Sequence, residues 1–425
     1  MMDMKIKFAL LMSTGLLAFQ SHAELIINGQ PIQTSYLYSS ASPLMISQDP
    51  FKQCLAQLRT QAEKKGISLH TFDRYTQNLQ PDYSVISKLN DQPEFSMSVW
   101  DYLSGLVDQE RIAMGQQKIA QHQDVLKRVS ERYGVPAETI VAVWGVESNF
   151  GDISGKYSLL QALSTLSCEG RRQSFYRGEF FATLRILQRG DLQPQQLYGS
   201  WAGAFGHTQF MPTTYEELAV DFDGDGRRDL VSSIPDALAS TANFLKRRGW
   251  QTGQTWGYEV NLPIDMSING ESRRNKKALS TWISRGVTRV DGRPMIEQGL
   301  TEYSQAGLIA PAGRQGPIFL VFKNFDVIYS YNAAETYALA IAHLSDRLTG
   351  KDGFKTSWPT DDAGTSRAER REIQQRLIAR GHDIGTVDGL IGEKSRQAIR
   401  YEQQRLGLKI DGRAGQAILR ALRQF

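Results

Sequence analysis

Long apolar runs are scarce in this sequence. Beyond residue 23 no continuous apolar stretch is long enough for a membrane helix, so a transmembrane anchor is not expected. Charge of one sign is not concentrated either. The net charge of +4 comes with no basic tract, which argues against nucleic acid as a partner, while a pI near 8.8 still suits a polymer bearing carboxylates. Cysteine is nearly absent: only Cys54 and Cys168 occur among 425 residues. Neither stands at the expected cleavage point after the N-terminal apolar run, so a lipid anchor has no attachment site there.

That N-terminal run reads as an address. Lys5 and Lys7 precede Phe8–Phe19, and Ser21-His22-Ala23 ends in a small-x-small pattern before Glu24. The run is short for a bilayer span, so residues 1–23 are expected to be a signal peptide cleaved after Ala23, and the mature chain to be exported, soluble and periplasmic. In an exported chain Cys54 and Cys168 are candidates for a disulfide, although spacing alone does not give their geometry.

What is present is mostly helical pattern. Residues 24–49 lack periodicity and are expected to be a loose leader. Phe51, Leu55, Leu58 and Ala62 mark a helix, and Gln109–Arg132 reads as one long helix with polar faces. Ser158–Leu166, Phe175–Gln188, Pro235–Gly249 and Glu335–Leu348 follow, with strands and loops expected through 250–330. The segment 351–366 is rich in Gly, Pro, Thr, Ser and Asp and reads as a linker. From 367 to 425 two similar turns, Val387-Asp388-Gly389-Leu390-Ile391-Gly392 and Ile410-Asp411-Gly412-Arg413-Ala414-Gly415, alternate with helical runs Arg371–Arg380, Ser395–Leu406 and Gln416–Leu422. The expected architecture is mainly α: a large domain over 50–350 and a small C-terminal three-helix module.

Three stretches carry chemistry. In 134–151, Pro136 suits the first helical turn and Gly151 a left-handed stop. Ile140, Val143, Trp144 and Glu147 share one face at the i, i+3, i+4, i+7 spacing. An acid closing an apolar stripe is held protonated by desolvation and by the negative end of the helix dipole, the state a general acid requires. The plain alternative is a Glu turned to solvent at a helix end. Residues 199–212 mix glycines with Trp201, Phe210, Ser200 and Gln209, which suits a sugar ring with one apolar face and many hydroxyls, or else a tight helix crossing. Asp221, Asp223, Asp225, Arg227 (through its carbonyl) and Asp229 open a calcium loop with Gly226 at its sixth position. Ser232 stands where the closing Glu is expected, and Asp236 is the alternative ligand. A solvated Asx-rich turn is the plain reading.

Taken together, Gly-Val-Glu-Ser-Asn-Phe-Gly at 145–151, Gly-Ser-Trp-Ala-Gly-Ala-Phe-Gly at 199–206, Gln-Phe-Met-Pro at 209–212, the acidic loop, Ala242-Asn243-Phe244-Leu245 and Tyr331-Asn332 resemble the lytic murein transglycosylase B family across roughly 50–350. The C-terminal turns resemble the peptidoglycan-binding domain type 1. The resemblance implies a lysozyme-like fold and cleavage of the β-1,4 bond between N-acetylmuramic acid and N-acetylglucosamine without water, leaving a 1,6-anhydro sugar. It implies Glu147 as the single acid and base, and Tyr102, Arg171, Arg172, Ser200, Gln209, Tyr331, Asn332 and Tyr337 along the saccharide cleft. Peptidoglycan glycan strands are then the partner, with no cofactor for catalysis and a structural Ca2+. The chain departs from the family at Phe244, where relatives often carry Tyr, and by one extra residue before Asp236. A hydrolase of the usual kind needs a second carboxylate, and none is evident near Glu147 in the sequence. A water-using muramidase and a non-catalytic cell-wall-binding protein are the competing readings.

Overall fold

The computed structural model describes residues 49–90, 97–297 and 299–424, so the expected signal peptide and all of the leader except Asp49 lie outside the described residues. The chain is mainly helical, as its periodicity implies. None of the described helices is long and apolar enough to cross a membrane.

Local signals set the helix starts. Asp49 accepts a hydrogen bond from Phe51 N (3.0 Å) and Pro50 opens the Pro50–Ala62 helix, whose Phe51, Leu55, Leu58 and Ala62 are buried. Cys54 of this helix is joined by a disulfide to Cys168 at the end of Leu159–Cys168, across a sequence separation of 114. The long helix expected over Gln109–Arg132 is two helices, Gln109–Gln121 and Gln123–Tyr133, broken at His122 (φ −114, ψ 25). The break lets the first half pack on Ala137–Ser148 and the second on Ile234–Arg247, which one straight helix with polar faces would not do.

Seven short strands occur among the described residues: β1 Tyr157–Ser158, β2 Tyr198–Gly199, β3 Gly257–Asn261, β4 Lys277–Ala278, β5 Thr288–Arg289, β6 Gln305–Ile309 and β7 Phe319–Val321. The last five form an antiparallel sheet in the order β4-β6-β7-β3-β5. Alternation along β7 joins two cores: Phe319 and Val321 enter the helical core, while Leu320 and the following Phe322 enter a second one with Tyr258 and Trp282.

The terminal module has a third core of Ile373, Leu377, Ile399, Ile418, Leu419 and Leu422. Its helices are Arg367–Ala379, Glu393–Arg405 and Gln416–Gln424. The first begins ahead of the expected Arg371 because Ser366 and Glu369 form a reciprocal capping box. The two similar turns are built alike. Asp388 accepts from Leu390 N and from the Gln374 side chain, and Gln374 accepts from Gly389 N. Asp411 accepts from Arg413 N and from the Gln403 side chain, and Gln403 accepts from Gly412 N.

The segment 351–366 does not hang free as a linker. Phe354 stacks on His343 with ring centroids 3.9 Å apart, and Lys355 N and Thr356 N donate to Glu259 at 2.7 and 2.8 Å. At its far end Ala363 O accepts from Gln416 N and Asp362 accepts from Ala417 N. Two aromatic residues, Phe354 and Trp358, pack on the helical core and fix a stretch whose composition reads as flexible.

Candidate active site

Residues Ile140 to Gly145 of the Ala137–Ser148 helix are all buried, so this helix is enclosed on every side rather than along one stripe. Pro136 stands at its N-cap with extended backbone, just before the first turn. At the other end three residues in succession are left-handed: Asn149 (φ 51), Phe150 (φ 60) and Gly151 (φ 93). The stop therefore begins at Asn149, the side chain that tolerates this region best after glycine, and not at Gly151. Asn149 N donates to Gly145 O, and its side-chain oxygen accepts from Arg111 Nη2 at 3.1 Å. A positive φ at Phe150 is costly, and its ring, buried edge-on against Trp144, holds it there.

Glu147 is half-buried in the last turn of this helix. The buried Tyr337 donates its hydroxyl to Glu147 Oε1. Tyr331 donates to Thr208 O at 2.6 Å and packs on Phe244 at 4.6 Å between centroids. Burial, and after it the charge of Glu147, raises both phenols well above their ordinary value, so they remain neutral hydrogen-bond donors. Tyr102, on the Val99–Leu106 helix, is among the groups whose charge acts on Tyr337. Tyr337 thus bonds Glu147, Tyr331 lies within reach of its charge, and Tyr102 acts on Tyr337. Asn332 follows Tyr331 in the turn before the Glu335–Leu348 helix, and its carbonyl accepts from Ala334 N.

The loop 199–212 is organised differently from its reading as a backbone cradle. A Cβ on Gly203 would stand 2.6 Å from the Leu163 side chain, and one on Gly206 2.6 Å from Leu230 O. Both glycines are left-handed and serve close packing within the protein. Phe210 is buried against Phe244 and Tyr331 and offers no free face, whereas Trp201 is half-buried. Ser200 Oγ accepts from Ala204 N, and Gln209, itself left-handed (φ 49), donates to Gly206 O and Ser154 O. Arg171 and Arg172 are exposed on the loop after the disulfide: Arg171 donates to Leu89 O, and Arg172 lies 4.5 Å over the Phe175 ring.

Three contacts escaped the sequence reading. Trp144 Nε1 donates to His207 Nδ1 at 3.2 Å, and Ser148 Oγ donates to His207 O at 2.5 Å, which ties the loop to the end of the Glu147 helix. Burial lowers His207 below its ordinary pKa, in keeping with a neutral ring that accepts from the indole. Glu179 is a buried carboxylate, but it accepts from Thr213 N and Oγ1 and so caps the Pro212–Leu218 helix. Asp152, the next carboxylate along the chain from Glu147, is exposed and bonded to Asn149.

In the acidic loop Asp221, Asp223 and Asp236 bring carboxylate oxygens within 4.8 Å of one another. Asp236 is fully buried and accepts from Phe222, Asp223 and Asp229 N–H groups. Burial raises its pKa, against the pull of those N–H groups. Asp229 turns away to accept from Val231 N, Ser232 N and Gln196, while Asp225 accepts from Arg227 N. Asp236 is the third carboxylate of the cluster. Three hard oxygen donors at this spacing fit a divalent cation of calcium's size.

Comparison with known proteins bears on the family and the fold. The transglycosylase SLT domain family matches residues 50–346, and a peptidoglycan binding domain family matches residues 366–422. Membrane-bound lytic murein transglycosylase B of Escherichia coli (strain K12) is 32% identical over 302 residues, which are 67% of this chain and 80% of that protein. The crystal structure of SltB3 from Pseudomonas aeruginosa in complex with NAG-anhNAM-pentapeptide is 45% identical with a TM-score of 0.70, covering 88% of this chain and 99% of that one. The Escherichia coli lytic transglycosylase Slt35 in complex with calcium is 28% identical with a TM-score of 0.60, covering 71% and 92%. The match over residues 50–346, most of the chain, makes this chain a member of the transglycosylase SLT domain family.

Proposed function

We propose that the chain is a lytic transglycosylase acting on peptidoglycan glycan strands in the periplasm, with Glu147 as acid and then base. The observation that carries this is the setting of Glu147: one half-buried carboxyl at a helix end, bonded by a buried tyrosine and felt electrostatically at two of them. Protonated Glu147 donates to the bridging oxygen as the C1–O bond of the muramyl residue breaks toward an oxocarbenium-like state. The C6 hydroxyl of the same sugar then attacks C1 and yields its proton to the ionised Glu147. Water is not consumed, and the product ends in a 1,6-anhydro ring. Tyr337 fixes the rotation of the carboxyl. Tyr102, Tyr331, Asn332, Ser200, Gln209, Arg171 and Arg172 are proposed to line the saccharide cleft. A relative's structure holding NAG-anhNAM-pentapeptide supports the product class.

Asp221, Asp223 and Asp236 would hold a structural calcium ion, in line with the calcium complex of a relative. The ion would neutralise the clustered carboxylates and take no part in the proton transfers. Export through a signal peptide cleaved after Ala23 completes the reading.

Incubation with purified sacculi tests it. The wild-type chain should release soluble muropeptides, and Glu147→Gln should lower release by at least about 10²-fold, the lower end for acid–base catalysis. Retention of Glu147→Gln on sacculi should persist. Ordinary turnover by that variant would remove Glu147 from the chemistry.

A further inference from the structure

The C-terminal module is seated on the catalytic domain through an arginine that reaches the helix bearing Tyr102. Arg413, in the second Asp-Gly turn, makes a two-pronged bond to Asp101: Nε to Oδ2 and Nη2 to Oδ1, both 2.7 Å. The same guanidinium bonds Asp362 Oδ2 at 3.0 Å and Asp362 O at 2.7 Å. Asp101 is buried, so this is a partly desolvated, charge-assisted pair and not a loose surface contact. Arg370 of the module donates to Asp101 O at 3.0 Å. Its guanidinium lies flat on the helix at Gly105, where a Cβ would stand 2.4 Å from Arg370 Nη1.

From this helix two routes lead to Glu147. Asp101 is followed by Tyr102, and the Val99–Leu106 helix packs on Glu335–Leu348, which carries Tyr337 and its bond to Glu147. Gly105 O accepts from Arg111 Nη1 at 3.2 Å, and Arg111 Nη2 donates to Asn149, the left-handed cap two residues beyond Glu147. Arg111 is buried as well, and burial pulls it down to about 10. Asp108 joins the two domains again, accepting from Arg111 N and from Arg367 N.

We propose that Asp101 and Arg111 are positioning residues, through which docking of the C-terminal module by Arg413 and Arg370 holds Tyr102 and the Asn149 cap in the geometry that Glu147 needs. The module then sets the turnover of the enzyme and not only its attachment to substrate. This rests on the transglycosylase reading of Glu147.

The test uses the full chain and two substrates, whole sacculi and a short soluble muropeptide that the catalytic cleft alone can accommodate. Arg413→Ala should lower kcat on the soluble fragment by about tenfold, within the loss of up to about 10²-fold that a small misplacement brings, with KM nearly unchanged. Asp101→Asn, which removes the charge that Arg413 grips and leaves Asp362 in place, should lower kcat by a similar factor, and joining it to Arg413→Ala should add little to the loss of kcat. Arg371→Ala, which breaks the neighbouring exposed pair with Glu110, should leave it unchanged. Melting temperature identifies any variant that fails to fold, in which case Arg413→Lys, which keeps the charge and loses the fork, should show an intermediate kcat. Wild-type kcat on the soluble fragment in Arg413→Ala, with only the KM for sacculi raised, would reduce the module to a tether and overturn the proposal. A loss of kcat in Arg413→Ala that Asp101→Asn does not share overturns it too. If the wild type cleaves neither substrate, it is the transglycosylase reading that fails, and the positioning role falls with it.

Discussion

At the end of the Ala137–Ser148 helix one carboxyl stands among tyrosine hydroxyls, whereas in the acidic loop three carboxylates converge within 4.8 Å. Glu147 is half-buried, and of the three loop acids Asp236 is buried, Asp221 half-buried and Asp223 exposed. A lone acid whose neighbours are neutral donors can take up and release a proton without disturbing what surrounds it. Crowded acids, one of them buried beneath three N–H groups, repel one another and call for a cation. The difference between chemistry and scaffold is written in the company each carboxylate keeps.

Substitutions should separate the two regions. The activity lost in Glu147→Gln should not be lost per folded molecule in Asp236→Ala. Asp236→Ala should instead cost stability, about 2 kcal/mol, because the N–H groups of Phe222, Asp223 and Asp229 lose the acceptor of their part-buried bonds. Urea titration reads the second, and muropeptide release the first. Tyr337→Phe should lower kcat by about tenfold, the equivalent of losing about 1.5 kcal/mol of hydrogen bonding to a charged group. Tyr331→Phe should cost less, since its hydroxyl bonds Thr208 O and not the acid. Added Ca2+ should raise the melting temperature by mass action, and Asp223→Ala should abolish that rise while kcat at 25 °C stays near wild type. A kcat that vanished on chelation while melting was unchanged would erase the contrast between the regions.

A further effect, on stability alone, lies away from both. Burial first, then the nearby Arg347, lowers the His343 pKa to about 3. The unfolded chain takes up this proton near pH 6.5 and the folded one does not, so stability falls as pH drops through the window from about 6.5 to 3. The slope from this one group is at most about 1.4 kcal/mol per pH unit. Urea midpoints of His343→Gln compared with wild type at pH 7 and pH 5 should show that part of the decline removed. An unchanged difference between the two pH values would take His343 out of the account.

Motifs with a local physical cause were readable from sequence. Glu147 is marked by its place in an apolar helix, and the Asp221 loop by oxygens at alternate positions with Gly226 between. The two similar turns mark the terminal module for the same reason. Features set by distant partners were not readable. Nothing near His122 announces that a helix must break there, because the reason is what the two halves pack against. The glycines of 199–206 look alike for approach to a ligand and for packing on Leu163 and Leu230, and only the fold separates them. The segment 351–366 has linker composition, yet Phe354 finds His343 and Asp362 finds Arg413. The path from Arg413 through Asp101 and Arg111 to Asn149 joins residues scattered along the chain, so no local spacing encodes it.

The central claim is that one carboxyl and the substrate's own hydroxyl do the work that hydrolysis assigns to two carboxylates and water. Mass spectrometry of the fragments released from purified sacculi measures this directly. The account predicts muropeptides ending in 1,6-anhydro-N-acetylmuramic acid, each lighter by one water than the matching hydrolysis product. Fragments carrying free reducing ends would contradict it, leaving Glu147 as the acid of a muramidase.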